Sequence, residues 1–286
     1  MRFAQATMKL LLQVFLAVAL ASVGNAEVVG ELTIAGQTVY VWKQFGDVSV
    51  SNGAVTLHTD SRAYLLKNNV GSIGQDDFYQ MKLNNLHFTY KLDLSRVPCH
   101  CNAAAYFNKM PAHSPGEGGD WYCDANYVGG IGCPEYDTLE SNKHIVSGAL
   151  HSCYWDGSWW QGCDSGGCSS NSWDSASGQV CPGCSIDTQS GPFTVSHFQS
   201  PDQSNIWMSQ NGNEASFDIC YGNGDYLNTM SEYWEDGMVL AFSLWGSCEN
   251  NDMWWLDDRT GCQGEGGCVG CDISNAWVTW SEFDLW

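Results

Sequence analysis

Positive charge is scarce in this chain. Its 286 residues carry 11 Lys and Arg against 32 Asp and Glu, a formal net charge of −21. Such a surface repels phosphate backbones and anionic bilayers, which argues against nucleic acid and membranes as partners and leaves a neutral polymer acceptable. Proline is scarce too, at 7 residues, and no Pro-rich linker, internal repeat or appended binding module divides the chain. Long helical periodicity is hard to find anywhere. No Asn-x-Ser/Thr sequon occurs, so N-glycosylation is not expected.

The one long apolar run is at the start. Arg2 and Lys9 precede Leu10–Val23, and Gly24-Asn25-Ala26 offers a small-residue cleavage site, so 1–26 reads as a secretory signal peptide and the protein as extracellular. The run is too short to span a bilayer in comfort. Residues 27–286 then form a single domain. The 14 cysteines fit a disulfide framework in that setting. Cys181-Pro182-Gly183-Cys184 and Cys262, Cys268 and Cys271 have spacings that hold zinc in cytosolic chains, but secretion and the even count favour bridges and no metal.

Short strand-like runs recur: Glu31–Ile34, Thr38–Trp42, Ala54–His58, Ala63–Leu66 and His87–Leu92, punctuated by turns such as Ser51-Asn52-Gly53. Their number predicts an all-β sandwich. Residues 154–184, with Tyr154-Trp155 and Trp159-Trp160 ahead of a Gly/Ser/Cys run, read as a disulfide-pinned surface loop. Its Trp pair suits a sugar platform or loop core equally well.

The chemistry concentrates at Glu135, Asp137 and Glu140, three carboxylates in six residues. Crowded carboxylates raise one another's pKa, which a structural domain has little use for. On a regular strand Glu135 and Asp137 share a face and Glu140 points away. A β-bulge within Thr138-Leu139 would return Glu140 to that face. A row of this kind suits retaining glycoside cleavage, with Glu135 as nucleophile, Glu140 as acid/base and Asp137 hydrogen-bonded to the nucleophile. A solvated acidic edge or a calcium site is the plainer alternative.

The run Glu135-Tyr136-Asp137-Thr138-Leu139-Glu140-Ser141-Asn142 resembles the Glu-x-Asp-x-x-Glu-x-Asn signature of glycoside hydrolase family 7. Tyr122-Cys123-Asp124-Ala125-Asn126 and His151-Ser152-Cys153 are similar to further family motifs. Segments from Phe88 to Phe107, Ile186 to Val195, Gly237 to Trp245, Met253 to Asp257 and Cys271 to Ser274 follow in the family's order, the last three as its closing strands. The chain departs at Leu139, where the family has Trp, at Asn126, where it has Gln, and in the shorter segment from Asn126 to Glu135. The family's Arg ahead of Cys271-Asp272 has no match.

The resemblance implies a concanavalin-like β-jelly-roll sandwich with disulfide-pinned loops. It implies a retaining hydrolase of β-1,4-glucosidic bonds in cellulose or related β-glucans, needing no cofactor and working as a monomer, while the shortened loop implies an open cleft and favours an endo-acting enzyme. The catalytic set would be Glu135, Asp137, Glu140 and His151, with Asn102, Tyr106, Asp124, Asn126, Trp245 and Trp255 on the substrate. Two alternatives remain, a β-1,3/1,4-glucan hydrolase of a related jelly-roll family and a glucan-binding protein of weak or no turnover.

Overall fold

The computed structural model describes residues 26–246, 253–257, 262 and 275–286. Of the signal peptide read at 1–26 only Ala26 is among them, and the strand read at Cys271–Ser274 lies outside them. No helix among the described residues is long and apolar enough to cross a membrane.

The long strands are β1 (Glu27–Ile34), β2 (Gln37–Ser51), β3 (Ala54–Leu66), β4 (Leu86–Arg96), β5 (Cys101–Asn108), β6 (Glu135–Asn142) and β7 (Ile145–His151). After them come the short β8 (Tyr154–Trp155), β9 (Trp160–Gln161), β10 (Cys168–Asn171), β11 (Val180–Cys181) and β12 (Ile186–Asp187). The chain continues with β13 (Phe193–Ser200), β14 (Gln203–Gln210), β15 (Asn213–Ile219), β16 (Val239–Gly246) and β17 (Trp277–Leu285). The main sheet runs β10-β7-β6-β5-β16-β3-β17-β4-β13-β14-β15, with β2 and then β1 alongside β3.

β3 is the hinge of this order. Its first half pairs with β17 through Val55–His58, and its second with β16 through Ser61–Tyr64. One strand therefore spans what the sequence reads as two, and it joins two half-sheets. The disulfide Cys168–Cys220 ties β10 to the chain just past β15, the two ends of the order. The sheet so curls onto itself, and the all-β sandwich expected from the sequence is what forms.

Alternation on the strands packs the space between the halves. Phe107 on β5 meets Phe88 on β4 edge-on at 5.4 Å, and Phe242 on β16 lies 5.1 Å from Trp280 on β17. Tyr136 on β6 packs on Phe107 and on Trp234. Each such buried ring contributes about 1.5–3 kcal/mol relative to exposure. With this face of β5, β6 and β7 committed to the core, residues of the opposite parity line the outer, concave side.

Two local features differ from the sequence reading. Gly224–Asp236 is a helix, capped by Asn223 accepting from Tyr226 N at 3.3 Å, with Leu227, Met230, Tyr233 and Trp234 on its buried face. Met253–Asp257, expected as strand, instead holds a short helix, Trp254–Asp257. Just ahead of β5, His100 turns the chain at φ 62°, so Cys99 stands outside the strand that Cys101 begins.

Candidate active site

The bulge expected at Thr138-Leu139 is present. Asp137 pairs with Ala149 and Glu140 with Ser147, so β6 fits one more residue than β7 between those pairs, and the register with β5 shifts at the same place. Thr138 supplies the extra residue, and its Oγ1 donates to Ala105 O at 2.6 Å. Tyr136 and Leu139 both point into the core, while Glu135, Asp137 and Glu140 line one cleft. Gly148, opposite the bulge, must be small, since a Cβ there would stand 2.4 Å from Ile219 Cδ1.

The cleft encloses about 780 Å³ on the concave face. Two disulfides of like size brace it. Cys123–Cys133 closes the loop leading into β6, and Cys153–Cys163 the loop leaving β7, each with a sequence separation of 10. Glu135 and His151 are register partners beside these staples.

Each acid has its own setting. Glu135 Oε2 accepts from Ala125 N at 3.0 Å, and Glu140 Oε1 accepts from Asn102 Nδ2 at 2.9 Å. Asp137 Oδ2 lies 2.9 Å from His151 Nε2, so its partner is the imidazole rather than Glu135. His151 Nδ1 lies 2.8 Å from Asp164 O. A carbonyl only accepts, so Nδ1 carries a proton, and the carboxylate calls for a second on Nε2. Both ring nitrogens thus face acceptors, an arrangement that favours the imidazolium. Gly167, at φ 64°, leaves it room, since a Cβ there would meet His151 Cε1 at 2.5 Å.

The electrostatics follow. Burial first, then the charge of Asp137, pushes Glu140 up to about 8 from 4.5. Burial, then the charges of Asp137 and Asp124, raises Glu135 well above its ordinary value, against the pull of His151 and the Ala125 N–H. Burial alone would lower His151, but its bond to Asp137 and the charges of Asp137 and Glu135 outweigh that and push it up to about 10. Glu140 thus holds its proton into the neutral range beside the Asp137–His151 pair, as an acid catalyst requires.

Among the residues expected on the substrate, Tyr106, Asp124, Asn126, Trp245 and Trp255 line the cleft. Asn102 is the exception. It is fully buried, donates to Glu140 and accepts from Ser141 N at 3.1 Å, so it holds the carboxyl from behind and is not among the residues that line the cleft. Asn142, at the end of the signature run, donates through Nδ2 to Asp257 Oδ1 at 2.7 Å. Asp257 also accepts from His100 N, which anchors the helix carrying Trp254 and Trp255.

Sequence reasoning missed Arg62 and Trp254. Arg62 lies on the cleft wall with its guanidinium 4.1 Å from the centre of the Tyr122 ring, and its Nε has no acceptor among the described residues. Trp254 is 59 % exposed beside Trp255. A lone Arg in a strand and one Trp among 14 carry little signal.

Cys99, His144 and Cys262 come within metal-ligating reach of one another. Cys99 and Cys262 form a disulfide, so the cluster offers no thiolate for an ion. Cys181 and Cys184 are likewise joined to each other.

The sequence model of Glycosyl hydrolase family 7 matches residues 47–129, ending just short of the acidic row. Endoglucanase EG-1 of Trichoderma longibrachiatum is 28% identical over 226 residues, 65% of this chain and 48% of the relative. A probable endo-beta-1,4-glucanase celB of Aspergillus fumigatus is 25% identical over 304 residues, 84% of this chain and 74% of the relative. The chain thus spans about half the length of EG-1. The fold matches the Humicola insolens endocellulase EGI at a TM-score of 0.67 and 21% identity, covering 83% of this chain and 77% of that one. It matches an endoglucanase I complexed with cellobiose at 0.70 and 18%, covering 92% and 98%. The jelly-roll architecture implied by the resemblance is the one these structures share.

Proposed function

We propose that this chain, a divergent member of glycoside hydrolase family 7, is a secreted enzyme that hydrolyses internal β-1,4-glucosidic bonds of cellulose or a related β-glucan with retention. The observation that carries the reading is the bulge at Thr138, which gathers Glu135, Asp137 and Glu140 on one wall of a cleft that Trp245, Trp254 and Trp255 also line.

In this mechanism the sugar faces stack on the tryptophans, and the scissile bond lies over the acidic row. Glu135 attacks the anomeric carbon as Glu140 gives its proton to the leaving oxygen, leaving a glycosyl ester on Glu135. Water, deprotonated by Glu140, then releases the sugar with its β configuration. Asp137 and His151 act as a fixed ion pair. The imidazolium favours charge on Glu135, and Asp137 keeps the proton on Glu140 until the leaving group draws it off.

Internal cutting is inferred from the short loops. The Cys123–Cys133 loop is tightly closed, and Asn126 and Val128 on the cleft wall are exposed rather than roofed. The experiment is reducing-sugar release from cellulose, mixed-linked glucan, xyloglucan and laminarin, with Glu135→Gln as control. Release from cellulose and mixed-linked glucan with an early fall in viscosity supports the reading. Release from laminarin alone favours a β-1,3-glucanase, and binding without release favours a binding protein.

A further inference from the structure

The tryptophans of the 154–163 loop do not take part in the cleft. Trp155, Trp159 and Trp160 line a second, separate hollow of about 370 Å³ with Gln80, Lys109 and Asp236, and none of these residues lines the cleft. The hollow is firmly built. Trp155 meets Trp160 edge-on at 5.0 Å, and Trp160 packs edge-on against Tyr233 at 5.3 Å. Trp159 Nε1 donates to Gly132 O at 2.9 Å, and the disulfide Cys153–Cys163 closes the loop that carries all three. Trp155 nevertheless stays 52 % exposed, and Tyr154 beside it 61 %.

Rings held this rigidly with a face left to water serve a ligand better than they serve the core, which the buried Tyr233 and Trp234 already fill here. The rim supplies polar partners of both kinds. Lys109 Nζ bonds Asp236 and Gly237 O (2.7 Å), and Gln80 beside them is held by its Nε2, which donates to Met110 O at 2.7 Å. Aromatic faces with a rim of acid, amide and ammonium groups match the apolar faces and equatorial hydroxyls of pyranose rings. The net charge of −21 disfavours a polyanion. The hollow also adjoins the chemistry along the chain, since Lys109 follows Asn108, the register partner of Glu135, and Gly132 lies just before Cys133-Pro134-Glu135.

We infer that this hollow is an accessory site for a neutral β-glucan chain, outside the catalytic cleft, that holds the enzyme on its polymer. The inference rests on the glucan reading of the cleft, and one experiment separates the two. The full chain carrying Glu135→Gln is titrated with cellotetraose while its indole N–H resonances are followed by NMR, each assigned by a Trp→Phe variant. Shifts at Trp155, Trp159 or Trp160 support the hollow, and shifts at Trp245 or Trp255 support the cleft. A titration that moves only the cleft resonances overturns the accessory site and leaves the cleft reading standing; one that moves only the hollow resonances does the reverse. Retention on insoluble cellulose gives the second measure. Trp155→Ala, at an exposed and disulfide-closed position, is expected to weaken retention about three- to tenfold, whereas Tyr221→Ala, at an exposed residue that lines neither the hollow nor the cleft, leaves it unchanged. Equal retention of Trp155→Ala and the parent overturns the inference.

Discussion

His151 Nε2 lies 2.9 Å from Asp137 Oδ2, with Nδ1 held by the carbonyl of Asp164, so both imidazole nitrogens face acceptors within the acidic row. Nuclear magnetic resonance of the imidazole nitrogens should find both protonated at neutral pH, with titration displaced to about 10. Asp137→Asn leaves an acceptor for Nε2 but removes the charge of Asp137. The ring should then titrate well below that value, and turnover should fall with it.

The acidic row also sets the pH dependence of activity. Glu140 must carry a proton to act as the acid, so turnover should fall as pH rises through about 8. Glu135 must be ionised to attack, and its raised pKa moves the acid limb above the ordinary carboxylate range. Profiles of kcat/KM against pH report these as macroscopic values of the coupled set. An alkaline limb near the ordinary carboxylate value would remove Glu140 from its role.

Stability should respond with a definite sign. Unfolded, Glu140 ionises near 4.5; folded, near 8. Between those values the folded state binds more protons, so the parent loses stability as pH rises through that window. Glu140→Gln keeps the amide contact with Asn102 and cannot ionise. Its Tm relative to the parent should therefore climb from pH 5 to pH 8, while kcat falls by on the order of 10²–10⁴.

The bulge can be tested on its own. Thr138→Val preserves shape but deletes the 2.6 Å bond to Ala105 O, at an expected cost of about 1–3 kcal/mol. Because Thr138 sets the direction of Glu140, kcat should drop more than KM rises. A variant with lowered Tm and unchanged kcat would separate the bond from the alignment.

Much of this site was legible in the sequence because it violates a simple rule. Alternation cannot bring Glu135, Asp137 and Glu140 to one face, so their spacing demands the extra residue that Thr138 supplies. The spacing of His151 from the acids was equally readable, but its partner was not. Whether Asp137 meets Glu135 or the imidazole depends on where β7 and the Asp164 carbonyl sit. Asn102 shows the same limit, since the resemblance places it on the substrate, whereas the structure has it buried and bonded to Glu140. The helix Gly224–Asp236 was hidden because its buried stripe mixes Met and Leu with Tyr and Trp amid polar residues. Arg62 was hidden because a single charge on a strand reads as a solvated face.

The anomeric form of the first sugar released from a cello-oligosaccharide, followed by proton NMR before mutarotation, tests the central claim most directly. Attack by Glu135 and return by water through Glu140 predict the β-anomer first. Initial release of the α-anomer, or no cleavage by the folded protein with substrate in excess, would contradict it.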